Sequence, residues 1–80
     1  MPSLVVKRSI MINGHQTSVT LEDEFWEALR QIARRKNATL NALVTQIDHT
    51  RNESNLSSAI RIFVLKHVQA RADLLDRQVA

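Results

Sequence analysis

The spacing of the apolar residues changes near residue 21, and this change constrains the fold more than any other feature of the sequence. In residues 16–21, QTSVTL, apolar side chains fall at every second place, whereas in residues 25–33, FWEALRQIA, they recur three and four places apart. The first spacing is typical of a half-buried strand and the second of an amphipathic helix. A short strand therefore runs almost directly into a helix, and its backbone groups require a partner strand.

The segment before this strand supplies one candidate partner. Residues 4–12 and 15–21 are both strand-like and rich in β-branched side chains, and Asn13-Gly14 between them is the strongest short-range signal for a hairpin. A two-residue turn sets a register in which one face is mostly apolar. Arg8 is the exception on that face. The opposite face is polar and carries Lys7, Ser9, Met11, Gln16, Ser18 and Thr20.

Two helices are predicted after the hairpin. The first, at about 22–36, follows the capping-box pattern TLED headed by Thr20. Acidic residues near its start interact favourably with the positive end of the helix dipole. The second, at about 39–49, begins with Thr39 as its N-cap and has apolar residues at helical spacing.

A third helix is predicted at about 55–76, with Ser54 or Asn55 as its cap. Its segment IRIFVL, residues 60–65, could also form a strand. The helical pattern persists beyond ten residues without Gly or Pro, which favours the helix. Because this segment is apolar nearly all round, we expect it to be buried between subunits.

Size and charge narrow the function classes. We expect residues 1–80 to form one domain, and a chain of this size buries only about 60% of its unfolded surface. The sequence has no Cys, so neither disulfides nor a thiolate metal site can add stability, and oligomerisation is expected.

A net charge of +3 favours an anionic partner. Neither a signal peptide nor a membrane-spanning run is apparent, which predicts a cytoplasmic protein with no membrane partner.

No motif predicts an enzyme, a cofactor or a metal. The three histidines, His15, His49 and His67, lack metal-ligand spacing. Ser57, Ser58, His67 and Asp73 contain the residue types of a catalytic triad, but helix caps and surface positions explain them better. Phe25 and Trp26 adjoin the apolar stripe of the first helix, so we interpret them as core rather than as a stacking platform.

The order of elements resembles the ribbon-helix-helix fold, the family of the Arc and methionine repressors. The resemblance rests on residues 17–47, TSVTLEDEFWEALRQIARRKNATLNALVTQI, with a strand, an immediate helix, a polar break and a second helix. Nearly the whole chain also resembles a bacterial subgroup with an added hairpin and a third helix. This resemblance implies an α+β fold: a ribbon-helix-helix homodimer with an N-terminal β-hairpin and an additional C-terminal helix.

The resemblance implies a homodimeric or larger DNA-binding transcription regulator, such as a repressor, that docks a β-ribbon in the major groove of duplex DNA. The outward residues Gln16, Ser18 and Thr20 would read bases, and Thr39, Leu40 and Asn41 at the start of the second helix would hold a phosphate. Gln, Ser and Thr have the hydrogen-bonding groups for base edges, and a helix N-terminus attracts anions.

Alternatives remain open at each of these positions. The polar strand face could be an ordinary solvated surface. Lys7 and Arg8 could bind phosphates beside the ribbon, or they could be edge charges that discourage unwanted strand pairing. The alternative function is a ribbon-helix-helix scaffold that binds another protein and no DNA, because a fold does not determine what it binds.

Overall fold

A computed structural model of the chain shows a β-hairpin followed by three helices, and it describes residues 4–51 and 55–79. The elements are β1 (Val5–Ile12), β2 (His15–Glu22), α1 (Asp23–Arg35), α2 (Leu40–Thr50) and α3 (Leu56–Val79). The α+β class predicted from the sequence is confirmed. The homodimer predicted with it remains a prediction.

The hairpin has the register that the two-residue turn predicts. β1 and β2 pair antiparallel over their whole length, with Ile12 opposite His15 at the turn. Asn13 and Gly14 have φ angles of 51° and 79°, and a type I′ turn requires positive φ at both positions. One face of the hairpin therefore packs against the helices, and the other is exposed.

Helix α1 begins one residue later than predicted, without a capping box. Glu22 is its N-cap residue, and no side chain caps the helix. The capping box headed by Thr20 is wrong, because Thr20 lies within β2 and its backbone N–H donates to Ser57 Oγ. The strand continues because the buried Leu21 still follows the alternating pattern of the core face.

A tight junction joins α1 to α2. Asn37 adopts a left-handed conformation with φ of 54°. The N–H groups of Asn37 and Ala38 donate back to carbonyls of the last turn at 3.1 and 2.9 Å, as in a Schellman motif. Thr39 caps α2, since its Oγ1 accepts from the N–H of Ala42 at 3.0 Å. This confirms the predicted cap.

Helix α3 begins at a cap formed by Asn55. Its Oδ1 accepts from the N–H of Ser58 at 2.8 Å, whereas Ser54, the other predicted cap, lies outside the described residues. Within IRIFVL only one side of the helix is buried in the single chain. Ile60 is buried, but Ile62 and Leu65 are 48% and 54% exposed. Their burial between subunits remains a prediction.

The core lies between the apolar face of the hairpin and the three helices. Every one of the five elements contributes at least two buried side chains: Ile10, Ile12, Val19, Leu21, Leu29, Ile32, Ala33, Leu43, Val44, Ile47, Ile60 and Val64. Phe25 and Trp26 are partly buried against this core, in agreement with their interpretation as core residues. The burial of Val19 and Leu21 therefore fixes β2 so that Gln16, Ser18 and Thr20 face outward.

Candidate nucleic-acid interface

The exposed face of the hairpin carries the residues predicted to read bases. Gln16, Ser18 and Thr20 lie on the face of β2 opposite the core residues Val19 and Leu21, and all three are exposed. Their cross-strand neighbours on the same face are Met11, Ser9 and Lys7, respectively. Side chains two residues apart on a strand are about 6.6 Å apart. The structure thus brings six side chains together in two parallel rows with hydrogen-bonding groups at five positions.

Lys7 and Arg8 lie on opposite faces of the hairpin. Lys7 is exposed beside Thr20, whereas Arg8 lies on the face that packs against the helices. The Arg8 guanidinium forms an ion pair with Asp23 and lies 4.8 Å from the centre of the Trp26 ring. Within the chain, Arg8 therefore has an acidic and an aromatic partner at the start of α1. Its role as a phosphate contact remains a prediction.

The start of α2 has the features of an anion-binding helix terminus. Thr39 and Asn41 are exposed, while Leu40 is half-buried and packs against the core. Because the first N–H groups of a helix have no acceptor within the helix, they are available to a ligand unless a cap takes them. The Thr39 hydroxyl takes that of Ala42. The first turn of α2 holds no acidic residue, so this turn places no carboxylate of its own beside an approaching phosphate.

Sequence reasoning missed a contact between β2 and the start of α3. Ser57 Oγ accepts from the Thr20 N–H at 3.0 Å, and Arg61 donates to the Thr20 carbonyl at 3.4 Å. Arg61 Nε also donates to Glu22 Oε1 at 3.0 Å. The one sequence signal was a charged residue within the apolar segment IRIFVL, four residues after a Ser.

The same contact affects the Glu22 carboxyl. A hydrogen bond from its own backbone N–H, followed in size by the hydrogen bond from Arg61, holds the pKa of Glu22 below its ordinary value. These donors favour the charged form of the carboxyl. Glu22 is therefore a charged acceptor at neutral pH, at the junction of β2 and α1.

The described residues contain neither a metal-binding cluster nor a membrane-spanning helix. Across residues 4–51 and 55–79, no group of three or more His, Cys, Asp or Glu side chains is arranged to hold a metal ion. No helix in that part of the chain is both long and apolar enough to cross a membrane. The candidate interface consists of the exposed hairpin face and the start of α2, because these carry the exposed polar side chains and the helix N-terminus described above.

Comparison with known proteins determines the family. A family model described as a ribbon-helix-helix domain matches residues 5–68. This chain belongs to the ribbon-helix-helix family. The resemblance predicted from the sequence is therefore confirmed. Ribbon-helix-helix domains generally bind DNA as transcription regulators, typically dimerise, and form a non-enzymatic fold.

One solved structure is similar to this ribbon-helix-helix chain. It is an uncharacterized protein from Bordetella pertussis Tohama I, with a TM-score of 0.72 and 28% sequence identity. The similarity covers 86% of this chain and 59% of that protein, so this chain spans less than two thirds of its neighbour. No curated protein matches the chain.

Proposed function

We propose that this protein is a sequence-specific transcription regulator that binds duplex DNA as a homodimer, with a β-ribbon in the major groove. The observation that carries the proposal is the exposed row of Gln16, Ser18 and Thr20 on β2 of a ribbon-helix-helix domain. Such amide and hydroxyl groups hydrogen-bond to base edges. A regulator of this kind acts where the DNA is, which in a bacterium is the cytoplasm, and a repressor is the form we expect.

Phosphate contacts complete the proposed interface. We assign these phosphate contacts to Lys7, which lies beside Thr20 on the exposed hairpin face, and to Thr39, Leu40 and Asn41 at the start of α2. Arg8 enters this set only if DNA binding draws its guanidinium away from Asp23. Neutralised phosphates release counterions, so affinity for DNA should fall steeply as the salt concentration rises.

The homodimer is proposed from two features of the single chain. β2 pairs with β1 along one edge, and two copies of its other edge are able to pair antiparallel about a twofold axis. In addition, α3 exposes large apolar side chains that water solvates poorly. These are Ile62, Leu65, Val68, Leu74 and Leu75.

The pairing of β1 with β2 affects how the β-ribbon can enter the major groove of DNA. Twofold pairing gives a sheet in the order β1-β2-β2-β1, which spans roughly 14 Å between its outer strand axes at about 4.8 Å per strand. The major groove of B-DNA is only about 12 Å wide. The ribbon therefore enters the groove only if β1 twists aside, and we propose that β1 limits DNA binding.

Selection from a random duplex library, followed by salt titration of the selected duplex, tests the proposed function. Gln16→Ala, Ser18→Ala and Thr20→Ala should each weaken binding to the selected duplex more than to random DNA. Gln31→Ala, an exposed amide on α1, is the matched control and should leave both affinities unchanged. Absence of binding at low salt would contradict the proposal.

Removal of residues 1–13 tests the role of β1. If β1 blocks the groove, the shortened protein should bind duplex DNA more tightly than the full chain. The truncation removes Ile10 and Ile12 from the core, so its folding must first be verified by circular dichroism. A folded truncation that binds DNA more weakly would show that β1 contributes contacts, with Lys7 as the first candidate.

The second candidate function is a protein-binding module without DNA binding. The observation that favours it is the complete pairing of β1 with β2, which widens the ribbon beyond the groove. This alternative predicts no salt-dependent DNA affinity in either the full chain or the truncation.

A further inference from the structure

The N-terminal part of α3 occupies one end of the free edge of β2. Because the turn makes Ile12 and His15 a hydrogen-bonded pair, alternate residues of β2 direct their backbone groups to β1. The residues between them, Gln16, Ser18 and Thr20, direct theirs to the opposite edge. At Thr20 both groups already have partners on α3, since the N–H donates to Ser57 Oγ at 3.0 Å and the carbonyl accepts from Arg61 at 3.4 Å.

A third bond holds Arg61 at this position. Its Nε donates to Glu22 Oε1 at 3.0 Å, and the two side chains are only 33% and 29% exposed. Ser57 and Arg61 are four residues apart, so they project from the same face of α3. We call these two residues and their bonds to Thr20 and Glu22 the α3 clamp.

We propose that the α3 clamp competes with the β2 strand of a second copy for the edge of β2, so that α3 controls how tightly the ribbon forms. The inference rests on the proposed function, because a ribbon dimer uses this edge. In a twofold pairing centred on Ser18, Gln16 of each copy lies opposite Thr20 of the other. Complete pairing therefore requires both clamps to open, whereas closed clamps restrict it to the region around Ser18.

The size of the effect follows from the bonds that must break. The hydrogen bonds of one clamp, two of them from a charged guanidinium, correspond to about a tenfold factor in an equilibrium constant after the exchange with water is included. A symmetric dimer opens two clamps. Removal of the clamp should thus tighten dimerisation by about a hundredfold, and addition of DNA that selects the ribbon dimer should open the clamp.

Sedimentation equilibrium of the full chain tests this competition. Ser57→Ala and Arg61→Gln should each lower the dimer dissociation constant, and the double variant should lower it by about a hundredfold. Arg77→Gln makes the same charge change on an exposed part of α3 and is the control that should change nothing. If Arg61→Gln does not fold, Ser57→Ala still tests whether the clamp competes with dimerisation, because it removes only a single hydroxyl.

The outcomes separate this inference from the proposed function. If the folded variants dimerise as the wild type does, or more weakly, the clamp does not compete. Binding of the wild type to a selected duplex would then still support the proposed function. If wild type and variants all stay monomeric and bind no DNA at low salt, both the clamp and the proposed function are overturned.

Discussion

Lys7 and Arg8 are neighbours in the sequence, yet the hairpin gives their side chains opposite surroundings. Lys7→Ala removes an exposed charge and should reduce the slope of log affinity against log salt by about 1, with no change in stability. Arg8→Ala removes the contacts with Asp23 and Trp26 and should lower the free energy of unfolding by about 1 kcal/mol. Salt titration and urea unfolding of both variants provide the measurements, and a reversal of the two effects would assign the phosphate contact to Arg8.

Thr39 caps α2 through a single hydroxyl. Thr39→Ala should lower the free energy of unfolding by about 1 kcal/mol, because the N–H of Ala42 loses its acceptor. Thr39→Ser keeps the hydroxyl and is expected to retain most of this stability. Urea unfolding compares the three proteins, and equal stabilities for Ala and Ser would mean that the cap bond contributes nothing.

Glu22 should make stability depend on pH. Its pKa is lower in the folded chain than its ordinary value, because of its own backbone N–H and the Arg61 guanidinium. The resulting stability is present at neutral pH and is lost as the pH falls below the ordinary Glu pKa, about 4.3, and through the lower folded-state pKa. Unfolding at a series of pH values should show this loss in the wild type and a smaller loss in Glu22→Gln. Equal slopes would contradict the assignment.

At the scale of elements, substitutions in the turn between β1 and β2 test whether its positive φ angles set the hairpin register. Gly14 has φ of 79°, and an added Cβ would meet no atom within 4 Å. Gly14→Ala should therefore cost only the backbone penalty of the left-handed region, about 1 kcal/mol. Asn13→Gly, which suits the positive φ, should cost less. A loss of several kcal/mol in urea unfolding of Gly14→Ala would indicate a register shift of the hairpin.

Local signals predicted the elements better than the contacts between them. Alternation and Asn13-Gly14 gave the hairpin, its register and the outward row on β2, since these depend only on nearby residues. The start of α1 was misplaced because TLED fits a capping box equally well when Thr20 is still in a strand. The bond between Thr20 and Ser57 joins residues far apart in the chain, and no local period encodes such a pair.

At the scale of the whole molecule, folding should depend on concentration. The core is small, and the described side chains of α3 include five large apolar ones that are exposed, so a second copy should supply missing burial. The melting temperature should rise with protein concentration. Val19→Asp or Leu43→Asp should unfold the protein, since each places a charge at a site that is 1% exposed. A melting temperature independent of concentration would identify a stable monomer.

The alternation of β2 also has an evolutionary consequence. Buried and exposed residues share one eight-residue strand, and none of its buried side chains lies on the face that carries Gln16, Ser18 and Thr20. Substitutions at the three outward positions change the chemistry that the protein presents, while the buried area remains the same. A descendant of this chain is thus able to change the chemistry of its exposed hairpin face by a few point mutations, each one compatible with the inherited fold.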